Sequence, residues 1–411
     1  MMIKAGALYF AIVIAFFIAI VSASLLMLAA HYRNTYLKEI RFTRLLNNLN
    51  SGVEFVLADL GKLEETKVID LYADGADSLV VERKQWGVFD LAVVRTFILQ
   101  DTLKRAMLIG TGTDSTAVYL SDEDRPLLLG GTTKISGNAY LPKSGVKKSY
   151  VDGKPYANEK LIYDGQILHS SRTLKAIDKD RIDKLKAEFS RKGQHRPLLN
   201  ETIVNQSFFA TTLTFDLIAK ANLKNVELKG NIILYADSSI TISASAQLEG
   251  IQLYAPYIKI EDGFKGNCQL FATDSIVIGK KTKLNYPSVA AVIRTDKSVD
   301  QPHIVLNDDV SFEGILFSYE TKRSALQTMV TLGKNTKVKG EIYSTGLLVL
   351  SKGTAVDGKI SCNRLMMYFS GALYENFLID VNLNRKARSP YYLSSRLFEP
   401  NLQQKVLKWM D

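Results

Sequence analysis

The chain has 411 residues, 46% of them hydrophobic and 23% charged, with a formal net charge of +10. That composition excludes a multi-span transporter, because a single run reaches spanning length, and it leaves a soluble portion large enough to bury a core. The basic residues are spread over Arg33, Lys38, Arg41 and Arg44, the 143–160 segment and Arg385, Lys386, Arg388 and Arg396. No dense stripe interleaved with aromatics results, so no nucleic-acid partner is expected. Anionic lipid or wall polymer is the functional reading of the charge, and a generally solvated basic surface is the plain one.

Ala5–Ala30 contains no charged side chain. A bilayer core of about 30 Å is crossed by about 20 apolar residues, so this run can span. A cleaved secretory signal has an apolar centre of only about 7–15 residues, which makes a permanent anchor the preferred reading. Residues 31–60 continue as a polar helix. Leu45, Leu46, Leu49, Val53 and Val56 recur at spacings of three and four and mark one buried face, with a bend expected at Asn50-Ser51-Gly52.

Residues 61–125 hold short runs rich in β-branched and aromatic residues, such as SLVVERK, GVFDLAVVRTFIL and TAVYLSD. They predict a small α+β region, an antiparallel sheet on which the anchor helix packs. Early solenoid rungs are expected over 126–171. Over 172–225 the pattern breaks, and Ile182, Leu185 and Phe189 predict a solvated helix within Ala176–Lys192.

The most specific signal is a repeat over 226–381. Leu234-Tyr235-Ala236 recurs as Leu253-Tyr254-Ala255 and Leu270-Phe271-Ala272, at spacings of 19 and 17 residues. Val338-Lys-Gly-Glu-Ile342 recurs as Val356-Asp-Gly-Lys-Ile360 after 18 residues. Gly-Asn steps recur at Gly137-Asn138, Gly230-Asn231 and Gly266-Asn267. A period near 18 with Gly or Asn at the corners suits one rung of a parallel β-solenoid, or β-helix. Roughly eight rungs at about 4.8 Å would give a rod of about 40 Å. A β-sandwich is the competing reading. Residues 382–411 leave the repeat and read as a C-terminal cap with a short helix after Pro400. Membrane-surface contact through Leu402, Val406 and Trp409 is the sharper alternative.

Motifs that carry chemistry are few, and no catalytic, cofactor-binding or metal-binding residue is expected. His31, His169, His195 and His303 lack partners at ligand spacing. Ser121–Arg125 is acidic but reads as a turn rather than a calcium loop. Asp308-Asp309 could serve as acid and base on a polysaccharide, but sits where a corner is expected. Tyr254, Tyr257, Tyr319 and Tyr343 suit either a sugar-binding ladder or core stacking. Cys268 and Cys362 lie in strand-like runs and read as buried free thiols, with a disulfide as the alternative.

Lys4-Ala5-Gly6, the uninterrupted apolar helix behind it and its polar continuation to about residue 58 resemble the N-terminus of type IV pilin-like proteins, including minor pseudopilins. The resemblance implies a peptidase cut after Gly6 and a helix that packs into a filament. The glutamate usual in that family five residues after the cut falls at Ala11. In repeat length alone, the second half is similar to bactofilins and other polymer-forming β-helix proteins, which implies a membrane scaffold.

Orientation divides these readings. Arg33, Lys38, Arg41 and Arg44 after the anchor favour a cytoplasmic solenoid, whereas the pilin-like layout favours an extracytoplasmic one. The expectation is a non-enzymatic, single-pass protein of the bacterial inner membrane, anchored in the bilayer through residues 5–30. Its solenoid is expected outside the cytoplasm. Its role is structural, as an assembly component of a pilus-like or secretion machine with protein partners. A cytoplasmic bactofilin-like scaffold and a carbohydrate-binding or polysaccharide-cleaving β-helix are the alternatives.

Overall fold

The computed structural model describes residues 5–58, 66–73, 75, 77–151, 154–190, 197–218, 220–295, 300–398 and 403–410. Lys4, His195, Pro400 and Leu402 lie outside them. The chain is mainly β, and forms two compact units: Met1–Arg83 with Ala92–Arg105, and Lys84–Leu91 with Ala106–Asp411.

The first unit is built on one helix, α1 (Ala5–Ala58). Its most apolar window has a mean hydropathy of 2.8 and is entirely unburied, so α1 is long and apolar enough to cross a membrane. The second half of α1 packs on antiparallel strands: β1 (Thr66–Ile69), β2 (Asp77–Trp86), β3 (Phe89–Ile98) and β4 (Asp101–Thr111). Leu45, Leu49, Val53 and Val56 are buried at helical spacing, each worth about 1.5–3 kcal/mol on full burial. Asp77, itself buried, accepts hydrogen bonds from Arg44 Nε and Asn48 Nδ2 and pins the helix to the start of β2. The bend expected at Gly52 is not a break, since α1 is one helical element. Gly52 is where the sheet presses hardest: a Cβ there would lie 2.6 Å from Leu79 and 2.7 Å from Val94. The missing side chain therefore serves close approach.

The second unit is dominated by a closed sheet whose main ladder is parallel. From Ile203–Gln206 to Lys337–Ser351 each strand pairs in parallel with a later segment of the chain, and the sequence repeats set the register. Leu234 pairs with Leu253 and Leu253 with Leu270, while Tyr235, Tyr254 and Phe271 follow in the adjacent column. Val338, Gly340 and Ile342 pair with Val356, Gly358 and Ile360. Inside, Ile240, Ile258, Ile276, Ile304, Val330, Leu348 and Leu365 form one buried aliphatic column. Aliphatic side chains repeat at the strand spacing, so each covers the one below.

One corner shows why glycine recurs. Gly314, Gly340 and Gly358 pair in register, and a Cβ on Gly340 would lie 1.9 Å from the Gly314 carbonyl oxygen. The opposite corner uses left-handed residues instead, among them Lys281, Asp309 and Asn335. Below these, the buried hydroxyls of Thr282, Thr336 and Thr354 donate to the backbone carbonyls of Glu261, Asn307 and Ser351. Between Tyr319 and Met329 the chain leaves the ladder, and this excursion interrupts the 18-residue period.

Three expectations need correction. The ladder starts at Ile203–Gln206, inside the segment read as a helical excursion, where α2 (Lys179–Ser190) is the one helix among the described residues. The early strands do not precede the main ladder in space. Val118 pairs with Ile360, Ala139 with Val118 and Ile167 with Ala139, so residues 116–169 extend the ladder beyond its last C-terminal strand. An open strand edge is a template for aggregation, and these residues cover it. Residues 382–410 are consequently not the end cap. Asn382–Asn384 joins the ladder between Ala355-Val356 and Lys134–Ser136, and Gln404–Trp409 is a strand, not a helix, antiparallel to β4. The ladder is thus an insertion in the chain between β4 and its last strand neighbour.

Candidate functional site

The Asp308-Asp309 pair sits at the left-handed corner between His303–Leu306 and Ser311–Tyr319. Asp308 Oδ1 accepts the Lys334 N–H at 2.9 Å, and Lys280 lies 3.9 Å from its other oxygen. Asp309 holds φ +60° and accepts from Asn335 Nδ2 at 3.3 Å. Both carboxylates are engaged in turn chemistry, for which Asp and Asn are suited by their tolerance of this backbone region.

Tyr235, Tyr254 and Phe271 stack in one column. Tyr235 lies over Tyr254 at 5.4 Å and Tyr254 over Phe271 at 4.8 Å between ring centroids. Phe189 of α2 closes edge-on against Tyr254, and Glu188 accepts the Tyr235 hydroxyl hydrogen bond. Tyr343 packs on Phe398, and Tyr319 lies beneath the Lys186 ammonium. The ladder reading for Tyr254 and Tyr343 therefore gives way to packing, since both rings are buried. Tyr257, half-buried, pairs in the ladder between Ser239 and Ser275.

Around Ser121–Arg125, Asp122 accepts the Asp124 N–H at 2.9 Å and the Lys143 N–H at 3.3 Å. Glu123 pairs with Arg323, Asp124 with Arg172, and Arg125 with Glu375. This is a cross-linked turn. His31 and His169 are exposed, while His303 Nδ1 lies 3.1 Å from Ser275 Oγ. Among the described residues, no group of three or more His, Cys, Asp or Glu could hold a metal ion. Cys268 and Cys362 are free and fully buried, and burial pushes both thiols up to about 12.

Sequence reasoning missed a buried polar network. Lys359 Nζ lies 3.1 Å from Asp114 Oδ2, with Lys175 at 3.5 Å. Arg388 Nη1 lies 3.5 Å from Glu341, which also accepts from Ser394 Oγ. Arg385 donates to the Asp114 carbonyl and to Thr113 Oγ1, both at 2.8 Å, and Tyr392 stacks under the Arg388 guanidinium at 4.3 Å. Burial raises the Asp114 carboxyl, but Lys359 and the Thr116 N–H outweigh it and the net shift is downward. The adjoining cavity, lined by Tyr119, Glu341 and Lys359 among others, has about 20 Å³, room for one water. The network fastens residues 382–398 to the ladder. Asp114 and Lys359 are 245 residues apart in the chain and Thr113 and Arg388 are 275 apart, so no spacing could reveal it.

A wider groove of about 520 Å³ lies along the ladder, lined by Lys229, Glu249, Lys265, Asn267, Asn285 and Lys408. Within it Glu249 is bridged by Lys229 at 3.0 Å and Lys408 at 3.3 Å, and the Lys229 hydrogen bond chiefly holds its carboxyl below the usual range.

No protein-family model matches the chain, and no curated protein matches it. Among solved structures, the chain is similar to the competence-associated pilin ComZ from Thermus thermophilus, at 10% sequence identity and a TM-score of 0.24, over 84% of this chain and 86% of that one.

Proposed function

We propose that this chain is a non-enzymatic, membrane-anchored assembly component of a pilus-like or secretion machine in a bacterial envelope. In this reading residues 5–30 stand in the inner membrane, the parallel ladder is a β-solenoid displayed outside the cytoplasm, and protein partners bind along its sides. The observation that carries the proposal is α1 itself: one uninterrupted helix whose first half is apolar and unburied and whose second half packs on an antiparallel sheet. That division suits a subunit held in lipid by one end and in an assembly by the other. The carboxylates of the corner and of the wide groove are occupied by backbone N–H groups and lysines, which supports a structural role over catalysis.

The test is a topology reporter fused after Asp411 in the native host, followed by sequencing of the mature N-terminus. Activity outside the cytoplasm, with a cut after Gly6, is the expected result. Activity on the cytoplasmic side overturns the pilin-like reading. It leaves the membrane-tethered scaffold that Arg33, Lys38, Arg41 and Arg44 favour.

A further inference from the structure

Leu99 is the most unusual exposed residue of the first unit. It sits at the β3–β4 hairpin tip with φ +54°, a conformation that bulky side chains rarely adopt, and it is 79% exposed. Asn or Gly would make this turn without strain, and a polar residue would be better hydrated. Neither local stability nor solubility accounts for a leucine here.

The packing of α1 fixes where the tip lies. Val94 meets α1 at Gly52, Thr96 Oγ1 donates to the Leu45 carbonyl at 3.4 Å, and Asp101 pairs with Arg41 at 3.4 Å. Moving along β3 toward Leu99 therefore moves back along α1 toward the apolar run. Three strand residues beyond Thr96 cover about 10 Å, which places Leu99 near the level of Lys38. Lys38 is only about 12 Å of helix past Ala30. The loop before β2 reaches the same end: its Asp70 carboxylate gathers three backbone N–H groups, and Tyr72, 56% exposed, lies under Arg44 with 5.2 Å to the ring centroid. Tyr32, Tyr36, Leu37 and Ile40 are exposed on the helix between.

A headgroup layer is about 5–7 Å thick on each side, and spanning helices tilt by about 20° on average. A tilt of about 20° toward the tip lowers a strand about 10 Å off the helix axis by about 3 Å, which brings the Leu99 backbone to about 8 Å from the hydrocarbon edge and its side chain within reach of that layer. We infer that the Leu99 tip, with Tyr72 beside it, is a second membrane contact that rests on the surface of the bilayer crossed by α1, with Arg33 and Lys38 facing anionic headgroups. The contact fixes the tilt of the sheet unit over the membrane. The inference rests on residues 5–30 being a span. Its occupant is that bilayer because the packing of β3 and β4 on α1 holds the tip beside the helix just past the apolar run. Tyrosine and a lone apolar side chain above basic residues are the side chains an interface favours.

The experiment uses the full chain in nanodiscs of phosphatidylcholine and phosphatidylglycerol carrying a headgroup nitroxide lipid. The native thiols are fully buried, so an environment-sensitive fluorophore can be placed singly at Gln100→Cys, at Ile14→Cys within the span, and at Glu54→Cys high on α1 as a solvent reference. Quenching at position 100 well above that at 54 is expected. Leu99→Asn, which the backbone accepts without strain, should lower the ratio of docked to undocked tip by about fivefold, the loss of roughly half a leucine's burial. A blue-shifted emission at 14 with quenching at 100 no different from 54, or no effect of Leu99→Asn, overturns the contact and leaves the span intact. An emission at 14 as water-exposed as that at 54 overturns the span, and the contact with it.

Discussion

Two glycines of the parallel ladder make opposite demands on a methyl group, and their comparison tests the corner geometry. Gly263 has φ +79° with nothing within 4 Å of an added Cβ, so Gly263→Ala meets only backbone strain of about 1–2 kcal/mol. Gly340 has φ +146°, and its Cβ would lie 1.9 Å from the Gly314 carbonyl oxygen. The backbone conformation alone costs about 1–3 kcal/mol for a non-glycine residue. Relief of the overlap also needs a shift of more than about 1 Å between paired strands, enough to spoil a buried ladder hydrogen bond at about 1–3 kcal/mol for each group left unsatisfied. Gly340→Ala should therefore destabilise by about 4 kcal/mol or more, at least twice the effect at Gly263. Urea unfolding of the full chain in detergent, followed by circular dichroism and fluorescence together, measures both midpoints. Equal midpoint shifts for the two variants would refute the stacked-corner account.

Arg181→Met removes the guanidinium that sits 2.5 Å from Asp90, both side chains being 2% exposed; a loss of about 3–5 kcal/mol is expected in the same assay, largely restored by the apolar double variant Arg181→Met/Asp90→Leu. Asp114 titrates below its ordinary value of 3.8 in the folded chain, so its stabilisation is complete above that value and disappears as pH falls through the lower, folded one. Acid titration of the unfolding midpoint should accordingly fall more steeply below 3.8 in the wild type than in Asp114→Asn. Cys268 and Cys362 should resist iodoacetamide at mildly alkaline pH in the native chain and both react in urea, read by mass spectrometry; native labelling of either would contradict their burial.

Local periodicity made much of the fold legible. The Leu-aromatic-Ala and Val-x-Gly-x-Ile repeats are the register of the parallel ladder, because a stack of equivalent strands needs equivalent side chains at each level. The spacing of Leu45, Leu49, Val53 and Val56 likewise marks the face of α1 that packs, since helical period alone selects it. Where the chain departs from the ladder between Tyr319 and Met329 the repeat fades, and so does the signal. Candidate site residues were harder to read. Asp308-Asp309 looks the same in sequence whether it turns a corner or performs catalysis, and only the Lys334 and Asn335 partners distinguish the two.

The amino-acid sequence by itself determined the apolar helix, the ladder and the register within it, since each follows from contacts among near neighbours or equivalent positions in a repeat. Tertiary structure alone decided the order of the strands in space and the fate of the tail. Residues 116–169 close the end of the ladder because an exposed strand edge there would be left without hydrogen-bond partners. Gln404–Trp409 becomes a strand because β4 offers it an edge; its Val-Leu-Lys-Trp composition would serve a helix or a strand equally. The network of Asp114, Glu341, Lys359 and Arg388 exists for the same reason: charges remote in the chain are stable in the interior only when folding brings their partners to them.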